Sequence, residues 1–465
     1  MKKSILFLFS TLLSLTAFAQ DITGTWNGIL KVQGTQLRLV FNITKTDTGF
    51  SSTMDSPEQK AMGIPITTTT YENNTLKLAI PMASISYEGV LGSDGNIVGT
   101  FKQGALNVPL NLSKGIVEKE KVVRPQEPIK PYPYYSEDVT FVNSKAGITL
   151  AGTLTLPSKE GNFPVVVLIT GSGPQNRDEE LLGHKPFLVL SDYLTKNGIA
   201  VLRYDDRGIA ESKGDFKTAT TADFADDAAA AVAYLQTRKE INPKKIGLMG
   251  HSEGGVIAPM VASSNKAVSF IVLLAGTGIP GDALLLLQKA LIERAEGTPE
   301  ADIQKGQTAN KGAFEIVKNA KTTEQLKTNL TLYYQQIQDK KPTTDDEKAT
   351  NDQEIQSIVN QLSSPWMQYF IKYNPATALE KVKCPVLAIN GAKDLQVPPT
   401  ENLAAIKTAL AKSNNKNVTT KVFPNLNHLF QECATGSPSE YADIQQTFSP
   451  TAMTAVLEWI QLQTK

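Results

Sequence analysis

The sequence is poor in the residues that build metal sites and disulfide frameworks. Its 465 residues include two cysteines, Cys384 and Cys433, and three histidines, His184, His251 and His428. None of them stands in a C-x-x-C or H-E-x-x-H spacing, so no metal site is indicated, and nothing else in the chain calls for a cofactor. Whether the two cysteines pair is left open, because separation along a chain says nothing of separation in space. An excess of charge of one sign is also missing, with 46 Lys and Arg against 46 Asp and Glu. That balance offers no field for nucleic acid or for an anionic membrane surface. No apolar run reaches the ~20 residues that a membrane span needs.

The nearest approach to such a run is at the N-terminus. "MKKSILFLFSTLLSLTAFAQ" sets Lys2 and Lys3 before an apolar stretch from Ile5 to Leu15 and ends in Ala17-Phe18-Ala19, a small-x-small cleavage pattern. Residues 1–19 therefore read as a signal peptide rather than a retained anchor, and the chain as exported, to the periplasm or the medium. No cysteine follows the cleavage point, so a lipid-modified N-terminus is not indicated. Cleavage would remove two lysines and no acid, leaving 44 basic against 46 acidic residues, a net charge of −2, and no membrane contact is expected of the mature chain.

A chain of this length holds more than one compact core. Residues 20–122 alternate apolar and polar over short runs such as "TQLRLVFNIT" and "NTLKLAI", broken by Gly, Asn and Asp, which predicts a small all-β domain. "GTWNG" at Gly24 is partly echoed by "GTFKQG" at Gly99, and this Gly-x-Trp start resembles the lipocalin-like barrels, with a β-sandwich as the alternative. Such a domain would pack against its neighbour or set the oligomeric state; ligand capture is the competing role. The proline-rich stretch 123–135, "VRPQEPIKPYPYY", predicts an extended linker. From 136 to 465 near-continuous apolar strands such as "FPVVVLITG" and "VSFIVLLAG" alternate with helices, the pattern of a mostly parallel sheet in an α/β domain. Strand signals stop between about 282 and 375, which predicts an inserted helical cap; its Trp366, Tyr369, Phe370 and Tyr373 at helical spacing read as packing.

The chemistry is carried by "KKIGLMGHSEGGVIAPM". Gly250, Ser252 and Gly254 satisfy G-x-S-x-G, placed between a strand pattern and a helix pattern, where a sharp turn would expose the serine. A hydroxyl needs a base, and His428 in "FPNLNHLF" is the sole histidine after Ser252; His251 adjoins the serine and His184 precedes it. Asp394, in the turn after the strand "CPVLAING", is the expected orienting acid, giving the order Ser, Asp, His. The developing oxyanion would be met by the amides of Glu253 and of Ser172, the latter in the turn "TGSG" after a strand. That turn also invites a dinucleotide reading, but the third glycine is missing and Pro174 stands where a helix should open.

"TGSGPQNRDE", "RYDDRG", "GHSEGG", "NGAKD" and "NLNH" together resemble the α/β-hydrolase superfamily from 136 to 465. Within it the chain looks like secreted bacterial carboxylesterases with an N-terminal β domain and, more distantly, the serine aminopeptidase and prolyl-oligopeptidase branch. The resemblance implies an eight-stranded sheet, no cofactor, Ser252 as nucleophile, His428 as base and acid, Asp394 as its orienter, and Glu253 and Ser172 as oxyanion donors. The usual His-Gly before the oxyanion turn is here Thr170-Gly171. "RYDDRG" is expected to form a buried ion-pair network. The expected activity is hydrolysis of a small-molecule carboxylic ester, with a peptidase using the same three residues and an inert binding protein as alternatives.

Overall fold

The computed structural model describes residues 21–32, 35–59, 61–104, 106–115, 124–338 and 345–465. The expected signal peptide, 1–19, lies outside them. The chain divides into two compact units, 1–120 and 121–465.

The first unit is antiparallel throughout. Its strands are β1 (Gly24–Val32), β2 (Thr35–Thr46), β3 (Gly49–Ser56), β4 (Ala61–Ile66), β5 (Thr68–Glu72), β6 (Thr75–Ile80), β7 (Ile85–Leu91), β8 (Ile97–Gln103) and β9 (Leu106–Pro109). They form sheets of four and five strands in sequence order. Alternation sends one face of each strand inward, so Trp26 and Leu30 of β1 meet Phe41 and Ile43 of β2 and Tyr87 and Phe101 of the second sheet in one apolar core. The aromatics after the two Gly-Thr pairs are both in that core, Trp26 with its indole N–H on the Ile22 carbonyl at 2.8 Å. Bridges from Ser113 to Asn27 and from Leu112 to Ile97 tie the residues after β9 to β1 and β8, so the segment touches both sheets. The crossing is close: a Cβ on Gly28 would lie 2.7 Å from the Asn111 carbonyl.

The second unit is built on β10 (Tyr135–Asn143), β11 (Ile148–Leu156), β12 (Phe163–Ile169), α1 (Pro186–Lys196), β13 (Ala200–Tyr204), α2 (Thr221–Gln236), β14 (Ile241–His251), α3 (Gly254–Ala262) and β15 (Val268–Leu274). The cap helices α4 (Gly281–Ala295), α5 (Glu300–Asn319), α6 (Thr323–Gln336), α7 (Asp345–Leu362) and α8 (Pro365–Lys372) follow. Then come α9 (Ala376–Leu379), β16 (Val386–Gly391), α10 (Pro399–Lys412), β17 (Val418–Phe423) and α11 (Pro450–Gln463). The eight strands order as β10-β11-β13-β12-β14-β15-β16-β17. β10, β11 and β13 pair antiparallel; every other pairing is parallel.

The apolar runs are continuous because both faces are covered. Along β12, Val165, Val167 and Ile169 join the core under α2, α3 and α10, while Val166 and Leu168 join the core under α1 and α11. The cap keeps a small core of its own from Phe314 and Val317 of α5, Leu326 and Leu330 of α6, and Val359 of α7. The proline-rich stretch is not a free spacer. From 124 onward it belongs to the second unit, where the Arg124 guanidinium donates to the carbonyls of Ile444 (2.6 Å), Ala442 (2.8 Å), Leu182 and Gly183 (both 3.2 Å).

Candidate active site

β14 ends at His251 and α3 begins at Gly254, which leaves Ser252 and Glu253 to turn the chain. Ser252 has φ +53°, left-handed backbone that costs a non-glycine residue about 1–3 kcal/mol. Its flanking glycines are dictated by contact: a Cβ on Gly250 would lie 1.8 Å from the Gly254 carbonyl, and one on Gly254 2.1 Å from that of Ile169. The Ser252 N–H donates to the Leu274 carbonyl at 2.9 Å, fixing the turn to the end of β15.

Asp394 follows β16 in a tight turn and is 2 % exposed. One carboxylate oxygen accepts the Gln396 and Val397 amides at 2.9 and 2.8 Å; the other meets His428 Nδ1 at 2.9 Å. A carboxylate at Nδ1 keeps the proton there and leaves the Nε2 lone pair free. His428 sits in the loop after β17, shaped by the Asn427 side chain, whose oxygen accepts the Leu429 and Gln431 amides. Ser252, His428, Gly171 and Ser172 line one cavity of about 80 Å³. Serine hydroxyl and imidazole share it without a hydrogen bond between them.

The turn after β12 reaches the same cavity. A Cβ on Gly171 would lie 3.3 Å from Ser252 Cβ, so the turn lies against the serine. The Gly171 N–H is taken by Glu179 Oε1 at 2.7 Å. Among the described residues no hydrogen bond engages the amides of Ser172 or Glu253. The Glu253 side chain points away into the interior, accepting from Thr221 Oγ1 at 2.6 Å and from the Trp366 indole of α8 at 2.8 Å, and burial pushes its carboxyl upward.

The "RYDDRG" turn is internal wiring. Arg203 pairs with Asp178, Asp205 with Arg177 at 2.6 Å, and Arg207 with Asp227 at 2.7 Å. Asp206 takes Thr170 Oγ1 at 2.8 Å and the Gln175 amide at 3.0 Å, and burial pushes its carboxyl up to about 8. His184 meets Thr447 Oγ1 and the Tyr441 carbonyl; burial, then the charge of Arg124, push it down to about 4, a neutral structural ring. The cap aromatics stack in pairs, Trp366 on Phe370 at 5.1 Å and Tyr369 on Tyr373 at 5.5 Å. Cys384 and Cys433 are free thiols.

Two contributors were not legible in the sequence. Glu179 ends the stretch "TGSGPQNRDE" with no role assigned to it, yet is buried against the cavity, and His251, dismissed as a base, pairs with it at 2.9 Å. Its one sequence mark was local, a histidine directly before the elbow serine; the partner lies 72 residues away.

A mostly parallel sheet helical on both faces, a serine on a strained strand-to-helix turn and a buried Asp–His pair beside it define an α/β hydrolase. Residues 146–417, more than half of the chain, match the X-Pro dipeptidyl-peptidase (S15) family, and the chain belongs to it. It is accordingly a hydrolase of ester or peptide bonds. Among curated proteins it is 25% identical over 362 residues to the esterase EstD of Thermotoga maritima, covering 77% of this chain and 72% of that one. Solved structures similar to it include the Pyrococcus furiosus esterase Pf2001, at 17% identity and TM-score 0.42, covering 75% of this chain and 100% of that one. Another is Est1E from Butyrivibrio proteoclasticus, at 15% identity and TM-score 0.39, covering 70% and 98%.

Proposed function

We propose that the chain is an exported serine hydrolase that cleaves carboxylic esters through an acyl-serine intermediate. The buried Asp394–His428 pair on the cavity of the strained Ser252 carries this reading. Ser252 Oγ attacks the ester carbon while its proton passes to His428 Nε2, and Asp394 stabilises the imidazolium. The oxyanion is met by the amides of Glu253 and Ser172. Collapse expels the alcohol, which takes the proton from Nε2. Water then gives a proton to Nε2 and attacks the acyl carbon; collapse frees the acid and returns the proton to Ser252 Oγ.

The cavity favours esters of short acids. The cavity is small and has Leu181, Pro186 and Leu429 in its wall. The carboxylate in its wall, Glu179, receives the Gly171 amide and His251 on one oxygen, Oε1. Family membership supports a second reading, peptide cleavage by the same three residues. Export rests on residues 1–19. The test compares p-nitrophenyl esters from acetyl to octanoyl with aminoacyl and X-Pro p-nitroanilides, on the chain and on Ser252→Ala. Ester turnover that falls with acyl length and vanishes in the variant is expected. Amide turnover alone would move the protein to the peptidases, and ester turnover surviving in Ser252→Ala would end the serine assignment.

A further inference from the structure

A second carboxylate–histidine pair lies behind the first. Glu179 is 4 % exposed and holds φ +50°, left-handed backbone that a glutamate adopts only when its surroundings impose it. Its Oε1 accepts twice, from the Gly171 amide at 2.7 Å and from His251 Nδ1 at 2.9 Å. The other ring nitrogen of His251, Nε2, lies 3.0 Å from the backbone carbonyl of His428. A carbonyl only accepts, so Nε2 carries a proton, and a carboxylate oxygen, with lone pairs for both the Gly171 amide and the ring, only accepts as well, so Nδ1 donates too. The ring is therefore an imidazolium paired with a buried carboxylate. Burial acts to lower its pKa, but the Glu179 charge and the hydrogen bonds to Glu179 and His428 outweigh that and raise it. The titratable groups facing the ring are Glu179, Asp394 and His428, whose own ring lies 4.8 Å away.

From this geometry, and resting on the serine-hydrolase reading above, we infer that Glu179 and His251 are a positioning pair that fixes the Gly171–Ser172 turn and the His428 loop relative to Ser252. Three segments distant in sequence converge on it: the turn after β12, the end of β14 that leads into Ser252, and the loop after β17. Neither side chain touches the reacting atoms. Their contribution is to hold the Ser172 amide and the His428 ring where the transition state needs them, and displacements well under 1 Å at such sites are costly.

The test uses the whole chain with active sites counted by fluorophosphonate titration, so that misfolded molecules do not enter kcat. Glu179→Gln keeps the shape but supplies no charge for His251. It should lower kcat for a short ester by about 10–100-fold, the scale typical of groups that orient a catalytic ligand, with KM within about twofold. His251→Asn should do the same, and the double variant should be no worse than either single one, since the two act as a unit. A pH profile separates positioning from mere support. Wild-type kcat should fall on the alkaline side, above the ordinary imidazole range of about 6.5, as the pair loses its proton, and Glu179→Gln should lack that limb. Losses that add in the double variant, a kcat within twofold of wild type, or an unchanged alkaline limb would each overturn the inference. Titration and turnover that do not depend on Ser252 would overturn the serine-hydrolase reading instead, so the two failures are told apart.

Discussion

The two units bury different chemistry. In the β unit the buried polar side chains among the described residues are Ser52 and Ser56, under a core of Trp, Phe, Tyr, Leu and Ile. In the hydrolase unit Glu179, Arg203, Asp205, Asp206, Asp227, His251, Glu253, Asp394 and His428 are all buried. Burying a charge costs several kcal/mol unless partners compensate it, so such groups persist where they are paired or put to use. The β unit's fold follows from apolar alternation alone. The hydrolase unit carries a polar interior near the C-terminal ends of its strands, and every named member has a partner within hydrogen-bond reach.

That contrast breaks most sharply at Asp394. Asp394→Asn keeps the side chain's shape and its acceptor for the Gln396 and Val397 amides but removes the charge that sets the His428 tautomer; kcat should fall by about four orders of magnitude with little change in melting temperature. The β unit should answer in the opposite currency. Trp26→Ala empties the largest fully buried side-chain site of that unit and should cost about 3–5 kcal/mol of its stability in denaturant unfolding, while kcat per titrated site is unchanged.

Asp206 sharpens the comparison through pH. Its carboxyl is raised from the ordinary value of 3.8 to about 8, so between those limits the folded chain holds a proton that the unfolded chain releases. The stability it contributes is full below about pH 4 and is lost as pH rises through about 8, at up to about 1.4 kcal/mol per pH unit. Asp206→Asn can keep both hydrogen bonds, to Thr170 and Gln175, and should flatten the decline of melting temperature across that window. The smallest effect is expected at Trp366→Phe, which removes the indole donor to Glu253 and leaves the stack on Phe370; about 1–3 kcal/mol of stability should be lost, measured by thermal unfolding, with kcat shifted less than in Asp394→Asn.

How much was legible in the sequence follows the same division. The elbow announced itself because its constraint is local: Gly250 and Gly254 are required by atoms within a few residues or on the adjacent strand. His428 and Asp394 were found by order along the chain, since one histidine follows Ser252 and one acid ends the preceding buried strand in a turn. The sheet was legible because strands covered on both faces read as unbroken apolar runs. Arg124 and Glu179 were not legible. Arg124 finds carbonyls 58 to 320 residues away, and Glu179 a histidine 72 residues away, pairings that no periodicity or motif encodes. Prolines predicted an extended linker, whereas residues 124–134 run through turns and bends held to the second unit by Arg124.

The acyl-serine at Ser252 is tested by intact-mass and peptide mass spectrometry of the chain after brief exposure to p-nitrophenyl acetate at low pH, where deacylation is slow. One acetyl group per molecule is expected, on the peptide containing Ser252 and absent in Ser252→Ala. An adduct on another residue, or ester turnover with no covalent intermediate and no dependence on Ser252, would contradict it.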